Sequence, residues 1–232
     1  MSKSKRAVCV YCAIMADVTR DHVPPRNLFP DPPPPNLITV PACSSCNTGS
    51  STHDEYLRAA LALTHDLSSN PAVVAIRPKV QRALAMPEKK GLKTSIHGTL
   101  RNVVLLSPSG RQLGTQQTYD VNLDRLLRVV ARTTAGLFWK FQQRCIPSGY
   151  VVGAQLESEL NFSGAPETAE QIGVLRNLDP VVAYENVYSA RAFRSHEDHD
   201  TTVWWHTFYE KVSFLAATLP PRENDVDVKG AV

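Results

Sequence analysis

The fold of this chain is constrained most by two C-x-x-C pairs, Cys9/Cys12 and Cys43/Cys46. Thirty residues separate the two pairs. Each pair can form a tight turn that presents two sulfurs, and the two turns can close around one tetrahedral ion. A structural zinc ion of this kind supplies folding energy to a module too small to fold by packing alone. We therefore predict a zinc site with four cysteine ligands. Either pair alone could be a redox dithiol, which two pairs at this spacing disfavour.

The rest of the composition supports a protein of the reducing cytoplasm. Residues 1–6 are polar and basic, and no apolar run follows them that is long enough for a secretory leader. No stretch reaches the roughly 18 apolar residues of a membrane-spanning helix. Disulfides are disfavoured in the cytoplasm. The fifth cysteine, Cys145, lies in an apolar stretch, and we expect it to be a buried small hydrophobe.

The segment between the two cysteine pairs reads as strand, loop, strand and helix. Residues 13–42 contain eight of the seventeen prolines, so most of this interval must be extended or turning. Residues 19–23 predict a strand that two prolines end, and 26–35 predict a stiff extended loop. The β-branched residues of 36–40 predict a second strand. A helix is expected over 44–63.

These residues carry a resemblance to a known family. Asp21-His22, then Asn36 fourteen residues after the histidine, then Cys-x-x-Cys-Asn ending at Asn47, resemble an HNH nuclease, the zinc-stapled form of the ββα-metal fold. The resemblance covers residues 9 to about 58, roughly a quarter of the chain. The order of the combined pieces is specific, although each piece alone is a weak signal.

The resemblance implies a role for each matching residue. His22 matches the general base that activates a water molecule, and Asp21 matches the carboxylate that holds a catalytic Mg²⁺ or Mn²⁺. Asn47 matches the second ligand of that cation, and Asn36 matches the residue that orients the loop of the base. The four paired cysteines match the structural zinc ligands.

The sequence departs from the family pattern just after Asn47. Many HNH nucleases place a basic residue two or three positions later, where it would meet phosphate. Here Asn47 is followed by Thr-Gly-Ser-Ser, and the next basic residue is Arg58. Arg20 and Arg26, which flank the Asp21-His22 pair, are the candidates to replace that contact.

The charge of the remaining chain is strongly divided. Residues 77–144 carry thirteen Lys/Arg against three Asp/Glu, whereas 145–232 carry six against thirteen. A basic middle indicates an anionic partner such as nucleic acid, with a solvated charged surface as the alternative. We predict an α+β fold overall, with the ββα-metal zinc module in 1–65 and an α+β domain with antiparallel strands in 66–232.

One predicted helix in the basic region has a candidate binding face. Apolar spacing predicts a helix over 122–143. Arg125, Arg128 and Arg132 fall on one stripe of it and could follow a nucleic-acid backbone, or form an ordinary solvated face. Around this helix we expect a turn at 87–91, a hairpin of strands 100–106 and 112–119, strands at 150–155, 181–191 and 201–217, and a helix at 166–177.

Three functions follow as hypotheses. The first is a metal-dependent endonuclease that cuts phosphodiester bonds, with DNA as the expected partner. The second is the same zinc fold binding nucleic acid without cutting it. The third is a protein-interaction scaffold. A single cutting site nicks one strand, so a double-strand break needs a homodimer or two successive events.

Overall fold

The computed structural model describes residues 5–160 and 166–221, and it shows a mixed α+β chain with antiparallel sheets. Within these ranges there are ten strands and five α-helices. The strands are β1 Lys5–Val8, β2 Met15–His22, β3 Thr39–Cys43, β4 Arg101–Leu106, β5 Gln112–Thr118, β6 Val151–Leu156, β7 Val182–Tyr184, β8 Tyr188–Arg194, β9 Thr202–Phe208 and β10 Val212–Leu219. The helices are α1 Ser44–Leu63, α2 Pro71–Ala85, α3 Lys90–His97, α4 Leu123–Gln142 and α5 Pro166–Asn177.

The N-terminal sheet has the order β1-β2-β3, and α1 follows β3 without a loop. β2 and β3 are antiparallel, with His22 opposite Thr39. The second strand was expected over 36–40, but β3 begins only at Thr39. The reason is a turn in the preceding chain, where the Leu37 amide donates to the carbonyl of Pro34 at 3.3 Å.

The larger sheet has the order β6-β10-β9-β8-β7 and is antiparallel throughout. α4 packs against it, and a buried hydrogen bond of 2.9 Å joins Thr134 of α4 to His206 of β9. The main hydrophobic core continues from this sheet through α4 into α1 and the N-terminal sheet, and it includes Val130, Leu57 and Val40. One core therefore connects the sequence regions 1–65 and 66–232.

A close approach between α4 and the end of β2 fixes the position of the N-terminal unit. A Cβ atom on Gly136 of α4 would lie 2.6 Å from Cγ2 of Val23, the residue after His22. Only glycine leaves room for this contact. The contact holds the end of β2 against α4.

Two helices, α2 and α4, start at asparagine side-chain caps. Asn70 accepts hydrogen bonds from the amides of Ala72 and Val73, and Pro71 occupies the first position of α2. Asn122 caps α4 by accepting from the Arg125 amide at 3.2 Å. The Asn122 cap confirms the predicted start of α4.

The structure corrects three predictions for the rest of the chain. The single strand expected at 201–217 is divided into β9 and β10, which a turn at 209–211 joins as an antiparallel pair. Residues 87–91 are not a simple turn, because a 3₁₀ turn at Pro87–Lys89 leads directly into α3. The single strand expected at 181–191 is divided into β7 and β8 by a tight turn. Asn186 adopts a left-handed backbone with φ 59° there, a conformation that asparagine tolerates better than most residues. The helices of the described residues are all too short or too polar to cross a membrane.

Candidate metal centre and active-site pocket

The four paired cysteines come together at one end of the N-terminal sheet. Their Sγ atoms all lie within 4.8 Å of one another, and those of Cys12 and Cys43 are 3.9 Å apart. Zn–S bonds of about 2.3 Å in a tetrahedron place sulfurs about 3.8 Å apart. The cluster therefore fits a metal ion such as zinc, and in the described residues it is the only group of three or more His, Cys, Asp or Glu side chains arranged in this way.

Local structure explains how each pair of sulfurs is presented. The first pair lies in the turn between β1 and β2, where the Ala13 amide donates to the Cys9 carbonyl at 2.9 Å. The second pair spans the junction of β3 and α1, with Cys46 in the first turn of the helix. A metal here ties the β1–β2 turn to the β3–α1 junction.

Neighbouring groups favour the metal-binding thiolate form at Cys43, whereas burial raises the pKa of Cys46. A hydrogen bond with the Ser45 hydroxyl, together with bonds to Cys46, lowers the pKa of Cys43 to about 6. Cys145 lies beside the cluster, where its Sγ donates to the Cys9 carbonyl at 3.7 Å. It is only partly buried, and this neighbourhood was not expected from its distance along the chain.

Asp21 lies on β2 and is held by two partners. The Tyr11 hydroxyl donates to its Oδ2 at 2.6 Å. Nη2 of Arg132, from α4, donates to the same oxygen at 2.7 Å. The Arg132 guanidinium also lies 3.5 Å from the centroid of the Tyr11 ring, so the three side chains form one compact group.

His22 and Asp54 line a small pocket together with these residues. The centre of a water molecule could occupy about 10 Å³ of this pocket, so the pocket has room for about one water or one small ion. Burial first, and the positive charge of Arg26 second, lower the pKa of His22 below its usual value. Burial first, and the negative charge of Asp21 second, raise the pKa of Asp54 to about 6.

The two predicted asparagines have other contacts. The Asn47 side chain donates to the Thr19 hydroxyl on β2 at 2.8 Å. Asn36 is exposed in the loop, where its backbone carbonyl accepts from the Tyr184 hydroxyl at 3.2 Å. This bond and the one from the Ile38 amide to Tyr184 anchor the end of the loop to the larger sheet.

The predicted basic residues divide into three groups. Arg132 reaches the pocket. Arg125 is engaged in the protein, since it donates to the Thr52 carbonyl at 2.6 Å and lies over the Tyr56 ring. Arg20, Arg26 and Arg128 are exposed, and Arg26 is the one whose charge acts on His22.

Sequence reasoning missed Tyr11 and Asp54 as members of the pocket. Tyr11 stands inside the first C-x-x-C pair, so its position was fixed by the motif itself. Asp54 follows Asn47 by seven residues, which is two helical turns, and helical spacing places both on the same face of α1. That spacing was the available signal for Asp54.

Comparisons with known proteins identify no relative, so the function must be argued from these residues. A scan against protein-family models matched no family, and searches of the curated proteins and of the solved structures returned no similar protein.

Proposed function

We propose that this chain is a metal-dependent endonuclease that hydrolyses phosphodiester bonds in DNA with a ββα unit of the HNH type. One observation carries the proposal. The cysteine cluster joins the β1–β2 turn to the β3–α1 junction, and in the same unit β2 ends with Asp21 and His22 on the wall of a pocket. This is the arrangement in which a zinc-stapled nuclease of this kind would hold its base and its cation ligand.

His22 has the properties of a general base. Burial and Arg26 lower its pKa, so the imidazole is neutral at pH 7 and free to accept a proton. In the proposed reaction His22 removes a proton from water as the water oxygen forms a bond to phosphorus. The bond from phosphorus to the leaving oxygen breaks, and that oxygen leaves with the electron pair.

Asp21 and Asn47 are the residues that would hold the catalytic Mg²⁺ or Mn²⁺. Both known contacts of Asp21 use Oδ2, so Oδ1 is the atom that would ligate a cation. The amide nitrogen of Asn47 donates to the Thr19 hydroxyl, so its amide oxygen is the atom that would ligate the cation. Oxygen donors suit these hard cations, and a bound cation would neutralise charge that develops on the phosphate.

Arg132 supplies the positive charge that the sequence lacks after Asn47. It comes from α4 rather than from the ββα unit, and its contact with Asp21 uses only one of its five N–H donors. A guanidinium can bond a carboxylate and a phosphate oxygen at the same time. We propose that Arg132 contacts the scissile phosphate beside His22.

A plasmid-cleavage assay at low salt tests the proposal. The wild-type chain should nick plasmid DNA with Mg²⁺ or Mn²⁺ and lose the activity when the added cation is omitted. His22→Ala should be inactive, while the matched change His53→Ala on α1 should still cut. An intact plasmid with the wild-type chain, although one zinc per chain is bound, would exclude a general DNase.

The second candidate function is binding of nucleic acid without cleavage. The observation in its favour is the Arg132–Asp21 ion pair, because a cation at Asp21 must share the carboxylate with a guanidinium 2.7 Å away. Under this alternative, His22→Ala has no activity to remove and leaves DNA affinity unchanged. The plasmid assay therefore separates the two functions directly.

A further inference from the structure

A two-stranded ribbon, made of β4 and β5, forms a sheet of its own beside the main body. Its far end is a turn in which Gly110 has φ 82°, a conformation that favours glycine. Its near end is anchored to the main body by the Tyr119 hydroxyl, which donates to the Ala60 carbonyl of α1 at 2.9 Å. Across this end Arg101 pairs with Asp120 at 2.7 Å. The ribbon is held at its base and open along its length.

One face of the ribbon is open to solvent and carries neutral polar and apolar side chains. The register pairs Asn102 with Gln117 and Val104 with Thr115, and side chains of paired residues lie on the same face. All four are exposed, and Val104 is 54% exposed. Near the turn, Leu113 is 66% exposed. A two-stranded ribbon is only marginally stable alone, so an open face of this kind indicates a partner.

The charge of this region identifies the class of partner. From residue 89 to residue 119 the chain contains five Lys/Arg and no Asp or Glu. Two of the five already have acidic partners, because Lys89 pairs with Glu55 and Arg101 with Asp120. The ribbon has no acidic residue, and it follows α3, which carries Lys90 and Lys93. These charges complement a polyanion rather than the acidic region 145–232 of a second copy of this chain.

The ribbon is also connected to the proposed active site by one helix. α4 begins at Leu123, five residues after β5 ends, and Arg128 and Arg132 follow five and nine residues later. At 1.5 Å per residue these arginines lie about 7.5 Å and 13.5 Å along the helix. Both distances are shorter than half a turn of duplex DNA, since one full turn is about 34 Å long.

We propose that the β4–β5 ribbon enters the major groove of duplex DNA while α4 follows the adjacent backbone toward the pocket. The major groove, about 12 Å wide, admits a two-stranded ribbon. Asn and Gln side-chain amides can hydrogen-bond the major-groove edge of adenine, as Asn102 and Gln117 would do here. Val104 and Leu113 can contact thymine methyl groups. The proposal rests on the proposed function only in taking DNA as the substrate.

Binding of the full-length chain to a fluorescein-labelled 30-base-pair duplex of mixed sequence, followed by anisotropy without Mg²⁺, tests the ribbon. Two new charges on its open face, Thr115→Glu with Gln117→Glu, should raise Kd at least about tenfold at low salt, because they bring negative charge into the groove of a polyanion. The matched control is Gln171→Glu with Val174→Glu on the exposed face of α5, which should change Kd less than about twofold. Circular dichroism checks that both variants are folded.

Two further readouts separate the outcomes. The wild-type chain should bind the duplex more tightly than a single strand of the same length, and the ribbon variant should lose that preference. Unchanged duplex affinity in the ribbon variant overturns the proposal. If the variant instead converts a wild-type dimer into a monomer at unchanged affinity, the ribbon binds a second copy. The anisotropy assay measures binding alone. A chain that binds duplex through the ribbon but leaves the plasmid intact in the cleavage assay would refute the nuclease and leave the ribbon site supported.

Discussion

The N-terminal unit and the five-stranded sheet are stabilised in different ways. Around the cysteines the separate buried cluster is small, with Cys9, Ala42 and Cys43 as its fully buried members. The five-stranded sheet is instead buried against α4, with large side chains such as Phe208 and Phe214 inaccessible to solvent. The main core packs one side of the N-terminal unit too, but at the cysteine end four side chains that could hold a metal ion stand where the larger sheet has bulky apolar side chains. Metal ligands are visible in a sequence as a motif, whereas a packed core is not.

The largest expected effect comes from removing a cysteine ligand. Cys43→Ser should abolish metal binding, taking the metal content from one ion per chain to none by elemental analysis. Because structural zinc contributes folding free energy, we expect a loss of about 3 kcal/mol or more, seen as a fall in Tm of about 6–12 °C. Cys145→Ser is the matched control and should keep its metal. Equal metal content in the two variants would contradict the zinc site.

The next effect concerns the packed region and its buried histidine. His206 is fully buried between the Tyr188 hydroxyl, at 2.7 Å, and the Thr134 hydroxyl, at 2.9 Å. His206→Leu leaves both hydroxyls without this partner, and we expect it to cost about 2–4 kcal/mol in urea unfolding. The exposed His196→Leu should cost less than about 0.5 kcal/mol.

The same histidine makes stability depend on pH. Burial lowers the pKa of His206 to about 3, whereas an unfolded histidine has a value near 6.5. Between these pH values the unfolded chain binds a proton that the folded chain does not, so stability present above pH 6.5 is lost as the pH falls. The slope should approach about 1.4 kcal/mol per pH unit and should decrease in His206→Leu. If the slope of stability against pH were unchanged in His206→Leu, the pH dependence would come from other titratable groups.

A smaller effect is expected at the contact between the two regions. Gly136→Ala places a Cβ atom 2.6 Å from Val23, so α4 and the end of β2 must move apart. We expect destabilisation of about 1–3 kcal/mol and lower cleavage activity, because His22 precedes Val23. Gly173→Ala on α5, where a Cβ meets no atom within 4 Å, is the control. Equal stability of the two variants would show that the contact is loose.

The smallest effect on stability is expected at Asn47. Asn47→Ala loses one exposed hydrogen bond to Thr19, which costs about 0.5–1 kcal/mol. If Asn47 also binds the catalytic cation, cleavage should fall far more than stability does, by about a hundredfold. A loss of activity no larger than the loss of folded protein would limit Asn47 to the structural role.

Much of the fold followed from the sequence because its local signals agree. The helix over 122–143, the hairpin of the ribbon and the cysteine pairs are each specified by signals within a few residues. The start of β3 and the helix after Pro87 were missed because a turn at Pro34–Leu37 and packing of α3 decide them. For the site, the sequence indicated Asp21 and His22 but not Tyr11 and Asp54. The pairing of Arg132 with Asp21 is a contact across 111 residues, which no local pattern predicts.

Rescue of His22→Gly by imidazole tests most directly whether the pocket at the end of β2 cuts DNA through its histidine. We expect this variant to be inactive on plasmid DNA with Mn²⁺ and to regain cleavage as imidazole is added, because the small base can enter the space left by the side chain. His53→Gly should cut without imidazole and show no stimulation by it. Cleavage by His22→Gly at the wild-type rate without imidazole would contradict the assignment of His22 as the base.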